Sequence, residues 1–281
     1  MNDASEATHV QDPGEEGFSA EQIDTSRPHP ARMYDYWLGG QDNYEVDRRA
    51  ADGVAALLPD IYPAARENRG FLHRAVRAVT RRGIRQIIDV GTGIPTSPNT
   101  HEVARAVDPG VRVAYVDNDP IVSAYAGAKL TSTGNAAFAL ADVRDPRAIL
   151  GHPAVAGLID FGQPVALLLV ALLHFVPDEA DPGGLVAALT EPLPPGSCVV
   201  ISHGTTDFHD AERLAAVEKV YEGAAATLTL RPRERILDFF QGWDLLEPGL
   251  VQPPFWRPEK PVPDDPVLRG LGFWSGVAVR P

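Results

Sequence analysis

Two glycines and a carboxylate carry the strongest chemical signal in this chain. Ile87-Ile88-Asp89-Val90 is an apolar run that ends in Gly91-Thr92-Gly93, and Val113-Ala114-Tyr115-Val116 is a second run that ends on Asp117. Glycine has no Cβ and tolerates positive φ, so Gly91 and Gly93 let the backbone approach a ligand closely. An acid about 20 residues beyond such a turn, at the end of the next strand, is where open α/β folds grip ribose hydroxyls. Together these residues point to a nucleoside-bearing ligand spread across two strand ends.

The loop after the glycines narrows the choice. A dinucleotide turn wants a third glycine and an early helix N-terminus for pyrophosphate. Here Thr96 holds the third position, and Pro95 and Pro98 remove backbone N–H donors and delay the helix. Asp89 would repel a phosphate but attract an ammonium group. S-adenosylmethionine, with a nucleoside and an amino-acid tail but no phosphate, fits this pattern best; NAD(P) and reductase chemistry stay as the alternative. Asp142 and Val143, at the end of a third strand, are placed for adenine, and Asn118 for contact through its backbone. Asp119 and Asp145 read instead as caps for helices opening at Pro120 and Pro146.

Methyl transfer is an in-line displacement in which placement does most of the work, and a base is required only if the acceptor must lose a proton. His174, after the fourth apolar run, is the candidate base, with His203 a second choice. No metal-ligand set is read in the chain. The segment before the first strand is dense in polar groups: Arg32, Tyr34, Asp35, Tyr36, Gly39, Gly40, Asp42 and Asn43, with Arg66, Asn68 and Arg69 following. Such a segment is costly as simple packing and reads as a lid over the cofactor, the alternative being a capping subdomain held by internal hydrogen bonds. Arg32 is a candidate bidentate clamp for a carboxylate, and Gly39, Gly40 and Asn43 are candidate cofactor contacts.

The elements that must position these groups follow from periodicity. Short helices are expected over 31–38 and 47–58, and a longer one from Pro63 to Arg82. From Ile84 strands alternate with helices through Ser202, and two closing strands are expected near 243–246 and 272–279. Near-continuous apolar strands separated by helices mean a mostly parallel sheet covered on both faces. Helices preceding the first strand can then lie across the sheet's C-terminal edge. The expected organisation is an acidic disordered tail over 1–24 and one domain over 25–281, made of a helical cap (25–83) and a Rossmann-like core (84–281).

Bulk composition sets outer limits. The net charge of −13 argues against binding a nucleic-acid backbone, and residues 1–24 hold seven acids with no lysine or arginine. No apolar run reaches membrane-spanning length; Val165–Leu173 is strand-sized. The single cysteine, Cys198, excludes an internal disulfide and reads as a core residue. A cytoplasmic enzyme acting on a small molecule is the expectation; oligomeric state is left open.

Several strings together resemble a bacterial family of class I S-adenosylmethionine-dependent methyltransferases long catalogued as a domain of unknown function. They are Pro28-His29-Pro30-Ala31-Arg32, Leu38-Gly39-Gly40-Gln41-Asp42-Asn43, Asp89 through Thr96, Val116-Asp117-Asn118-Asp119-Pro120 and Leu172 through Asp178. The similarity runs from about Ile23 to Pro281 and includes Glu247-Pro248-Gly249-Leu250 and Trp256-Arg257-Pro258. The resemblance implies a seven-stranded Rossmann-like α/β fold and binding of S-adenosylmethionine. It implies no acceptor. A cofactor-binding regulator without turnover remains as an alternative from another class, because no obligatory catalytic motif is present.

Overall fold

The computed structural model describes residues 24–129 and 134–281. All of the expected acidic tail except Asp24 lies outside the described residues.

Three helices come first: α1 (Pro30–Trp37), α2 (Glu45–Leu57) and α3 (Ile61–Arg81). His29, just before α1, accepts a hydrogen bond from the Ala31 amide through its side chain, and Pro30 opens the helix with a preset φ. The strand–helix alternation follows as β1 (Gln86–Val90), α4 (Thr100–Arg105), β2 (Arg112–Asp117), α5 (Pro120–Lys129), β3 (Ala136–Leu140), α6 (Pro146–Gly151), α7 (Pro153–Ala156), β4 (Ala166–Val170), α8 (Pro182–Thr190) and β5 (Cys198–Gly204). The chain closes with α9 (Ala211–Tyr221), α10 (Arg233–Leu237), β6 (Asp244–Leu245), α11 (Pro266–Arg269) and β7 (Phe273–Val279). α9 stops at Tyr221, two residues before Gly223, and the expected first closing strand is only two residues long.

The seven strands form one sheet in the order β3-β2-β1-β4-β5-β7-β6. The first five are parallel, and β7 inserts antiparallel between β5 and β6. Strand order reverses between β1 and β4, so the crevice at their C-terminal ends is the topological switch point where open sheets bind ligands.

Alternation along the strands divides the core in two. Ile88, Val90, Leu167, Leu169, Val199 and Ile201 face α6, α8 and α10, packing on Ile149, Val186, Leu189 and Ile236. Their neighbours Ile87, Val113, Tyr115, Leu168 and Val200 face α3 and α4 and pack on Phe71, Leu72, Ala75, Val76 and Trp256. Cys198 belongs to this second layer, and burial pushes its thiol up to about 11, so it stays protonated and acts as a packing residue. A third apolar cluster joins Met33 and Trp37 of α1 to Ala51 and Val54 of α2 and Leu214, Val217 and Tyr221 of α9. That cluster fixes the N-terminal helices over the strand ends.

Candidate active site

The cavity at the switch point measures about 310 Å³, the size of a small-molecule site. Its floor is the end of β1. Gly91 (φ +70°) and Gly93 (φ +67°) turn the chain there in the left-handed region. A Cβ on Gly91 would sit 2.6 Å from Leu172 Cδ1, so only glycine allows β1 and the segment after β4 to meet this closely.

Asp117, the last residue of β2, is buried and lies across this turn. Its Oδ2 accepts from the Gly93 amide at 2.8 Å and its Oδ1 from the Asp119 amide at 3.0 Å. Burial, more than these bonds offset, raises its carboxyl from 3.8 to about 6. Asp119 caps the start of α5 through the Ile121 amide, as its place before Pro120 suggests. Asp89 is also buried against the cavity, its Oδ2 accepting from Thr100 Oγ1 at 2.6 Å, and burial raises its carboxyl too.

Asp142 behaves in the opposite way. Arg144 grips it through Nε at 2.9 Å and Nη2 at 2.5 Å, and Asn118 Nδ2 donates to it at 2.9 Å. These bonds, Arg144's first, hold the carboxyl down at about 2. Val143 is buried beside it, and all of Asn118, Asp142, Val143 and Arg144 line the cavity.

The roof comes from α1 and α3. His29, Pro30, Ala31, Tyr34, Asn68 and Arg69 all reach the cavity. Tyr34 gives its hydroxyl proton to Ala65 O at 3.0 Å, so its oxygen must accept from Asn68 Nδ2, also at 3.0 Å. That fixes the Asn68 amide and leaves its buried Oδ1 with no hydrogen-bond partner among the described residues. Arg69 Nη2 donates to Thr96 O at 2.5 Å and Pro98 O at 3.2 Å. The loop, short of the two donors that Pro95 and Pro98 lack, offers its carbonyls to Arg69, and α4 starts only at Thr100.

Four expected contacts are not at the cavity. Arg32 is buried with its guanidinium committed elsewhere: Nε donates to Asp47 Oδ1 at 3.0 Å, Nη1 to Asp24 O and Nη2 to Arg27 O. It pins α1 to α2 and is not a carboxylate clamp. Gly39, Gly40 and Asn43 form a loop around Asp35. Asn43 Nδ2 donates to Asp35 Oδ2 at 2.8 Å, and a Cβ on Gly40 would overlap the Asp35 carboxylate. These residues shape a cavity-lining side chain and do not themselves line the cavity.

His174 lines the cavity with its ring already engaged. Its Nδ1 accepts from the Gly204 amide at 3.1 Å, so the one lone pair of the neutral ring is spent. Burial, then His203 and Arg231, hold its pKa well below the usual histidine value. His203 is equally engaged, donating from Nδ1 to Gly204 O and accepting at Nε2 from Arg231. Arg231, which no local pattern marks, ties the segment after β4 together through Asp178, Leu173 O and Val176 O.

The chain is matched over residues 16–281 by the family model for S-adenosyl methyltransferases. It belongs to the S-adenosyl methyltransferase family. A protein of the DUF574 family from Streptomyces avermitilis is 41% identical, with a TM-score of 0.88 over 92% of this chain and 100% of its own. A candidate methyltransferase from Thermobifida fusca is 38% identical, with a TM-score of 0.86 over 92% of this chain and 96% of its own. An O-methyltransferase family protein from Burkholderia thailandensis shares the fold at 13% identity, with a TM-score of 0.51 over 92% of this chain and 66% of its own. No curated protein matches the sequence. Membership in the S-adenosyl methyltransferase family makes the chain an S-adenosylmethionine-dependent methyltransferase. Among the described residues no helix is long and apolar enough to cross a membrane.

Proposed function

We propose that this methyltransferase holds S-adenosylmethionine in the switch-point cavity and transfers its methyl group to a small-molecule acceptor. The observation that carries the binding mode is the donor set of that cavity. Two buried carboxyls whose pKa values burial raises, Asp89 and Asp117, and Asn68, whose amide oxygen has no partner among the described residues, all belong to its lining. A ligand with ribose hydroxyls and an ammonium group answers all three.

In this reading Asp117 accepts from the ribose hydroxyls, and Asp89 and Asn68 accept from the ammonium group. Arg69 meets the carboxylate, replacing Arg32 in that role. Asn118, Asp142 and Val143 border the adenine, with Arg144 holding Asp142 in place. Gly91, Thr92 and Gly93 supply the close backbone approach. When bound, S-adenosylmethionine supplies an electrophilic methyl group. His29, Pro30, Ala31 and Tyr34 close over the cavity and exclude water, so that the acceptor rather than solvent meets the methyl carbon. His174 orients the segment after β4 and moves no proton.

A small acceptor is supported by the net charge of −13 and by the roofed form of the cavity, which leave little for a polyanion to grip. The same reading places the enzyme in the cytoplasm, where the methyl donor is available. Incubating the protein with methyl-labelled S-adenosylmethionine and a low-molecular-weight metabolite extract tests it. Label should appear in a small molecule; label found only in protein or nucleic acid would overturn the proposed acceptor class.

A further inference from the structure

His29 stands where the roof of the cofactor cavity meets the end of β2. It lies between Pro28 and Pro30, extended at φ −121° and ψ 133°, and its side chain lines the cavity. Its amide donates to the buried Asp47 carboxylate at 2.9 Å. Nδ1 accepts from the Ala31 amide at 3.3 Å and so caps α1. Ala31 packs on the glycine turn, since a Cβ on Gly93 would come 3.9 Å from its own. Asp119, whose amide donates to Asp117, has its Oδ2 3.2 Å from Nδ1 but without a hydrogen bond to it. His29 and Asp117 therefore border the same end of the cavity.

Burial, more than Asp119 offsets, lowers the pKa of His29 below the usual histidine value, so the ring is neutral near pH 7. A neutral ring that accepts at Nδ1 carries its proton on Nε2. Nε2–H makes no hydrogen bond among the described residues. Unlike Asp119 Oδ2, it is not sealed from solvent, and the side chain keeps 20% of its surface. Asparagine, aspartate or serine would cap α1 with fewer atoms. Histidine caps with one nitrogen and carries a second polar atom on the far edge of the ring.

We infer that His29 Nε2–H donates to a ribose hydroxyl of the cofactor, and that this hydroxyl gives its own proton to Asp117. The inference rests on the cofactor placement proposed above. The hydroxyl then bridges roof and floor, accepting from one side chain and donating to the other, and each bond polarises its neighbour. His29 is in this way a binding residue for the nucleoside as well as part of the cover that excludes water.

The probes are S-adenosylhomocysteine and its 2′-deoxy and 3′-deoxy analogues, titrated into the full-length protein by calorimetry. His29→Asn keeps a side chain able to cap α1 and removes only the far edge of the ring. It should melt close to the wild type yet bind S-adenosylhomocysteine about fivefold more weakly. For one of the two analogues the penalty seen in the wild type should shrink about fivefold in His29→Asn, because the hydroxyl's partner is already gone. In the wild type, S-adenosylhomocysteine should shift the ¹⁵N resonance of His29 Nε2, and that analogue should not. His152 caps α7 in the same way, Nδ1 accepting from the Ala154 amide at 3.2 Å, but is not part of the cavity lining. His152→Ala should therefore leave every affinity unchanged. Full affinity in His29→Asn, or deoxy penalties equal to those of the wild type, would overturn the contact while leaving the cofactor assignment intact. An equal loss in His152→Ala would also overturn it, by showing that helix capping carries the effect. Failure of S-adenosylhomocysteine to bind, or binding indifferent to both hydroxyls, would overturn the ribose placement as well.

Discussion

The carboxylate of Asp117 accepts the Gly93 amide proton at 2.8 Å, so the acid at the end of β2 and the glycine turn after β1 are one unit. Twenty-four positions separate them in sequence, and the parallel pairing of β1 with β2 brings them together. The bond ties the turn to a buried carboxyl whose pKa burial raises to about 6. With the ribose placed on Asp117 as proposed, cofactor binding and protonation are linked.

Burial raises the Asp117 carboxyl from 3.8 in the unfolded chain to about 6. The folded protein holds this proton more tightly, so the associated stability is full below about pH 4 and is lost as the pH rises through about 6. A ribose donating hydrogen bonds favours the ionised form, so affinity for S-adenosylmethionine should climb across the same window. Calorimetry near pH 6 in buffers of different ionisation enthalpy should record proton release on binding, and Asp117→Asn should reduce it. Proton uptake would contradict the assignment.

Arg69 and Arg32 should separate cleanly. Arg69→Ala should weaken S-adenosylmethionine binding by about 1.5–3 kcal/mol, the range for a hydrogen bond to a charged group, with little loss of melting temperature. Arg32→Ala strands the fully buried Asp47 and should cost about 3–5 kcal/mol of stability, with the dissociation constant unchanged where the protein remains folded. Thermal denaturation and calorimetry on both variants decide this.

The glycine loop makes a similar point. Gly40→Ala pushes a methyl into the Asp35 carboxylate and should cost about 1–3 kcal/mol, as overpacking does. Denaturant unfolding should show that loss. A loss of affinity with no change in stability would mean that Gly40 touches the cofactor directly.

His174→Ala leaves the buried Gly204 amide without its acceptor and should destabilise by about 1–3 kcal/mol. His174→Asn can restore an acceptor and should recover part of that stability. Turnover in the wild type should show no ionisation assignable to His174 between pH 5 and 8. A limb in that range that disappears in His174→Asn would return it to the role of base.

Much of this architecture was legible because it is written locally. Apolar runs closed by Gly91, Asp117 and Asp142 place strand ends, and Pro120 and Pro146 place helix starts behind their capping acids. The proline spacing after Gly93 correctly spoke against a phosphate cradle. What was not legible depends on distance. Arg32 and Arg69 look alike as residue types, and only the packing of α1 on α2 shows that the first is spent on Asp47. Gly39, Gly40 and Asn43 stand in a motif-like string, yet they serve Asp35. The Asp142–Arg144 pair is local, but spacing alone does not show that Arg144 folds back onto the acid two residues before it. His174 sits where a base could sit, and only the approach of β5 reveals that Gly204 occupies its lone pair. Arg231 carries no local signal at all.

The most direct measurement is the dissociation constant of S-adenosylmethionine for the wild-type protein and for Asp117→Ala, by calorimetry at pH 7.5. The wild type should bind, and the variant should bind more weakly by about 1–3 kcal/mol, the worth of hydrogen bonds to a charged acceptor. An unchanged dissociation constant in a folded variant would show that the ribose is held elsewhere and would contradict the placement of the cofactor across the ends of β1 and β2.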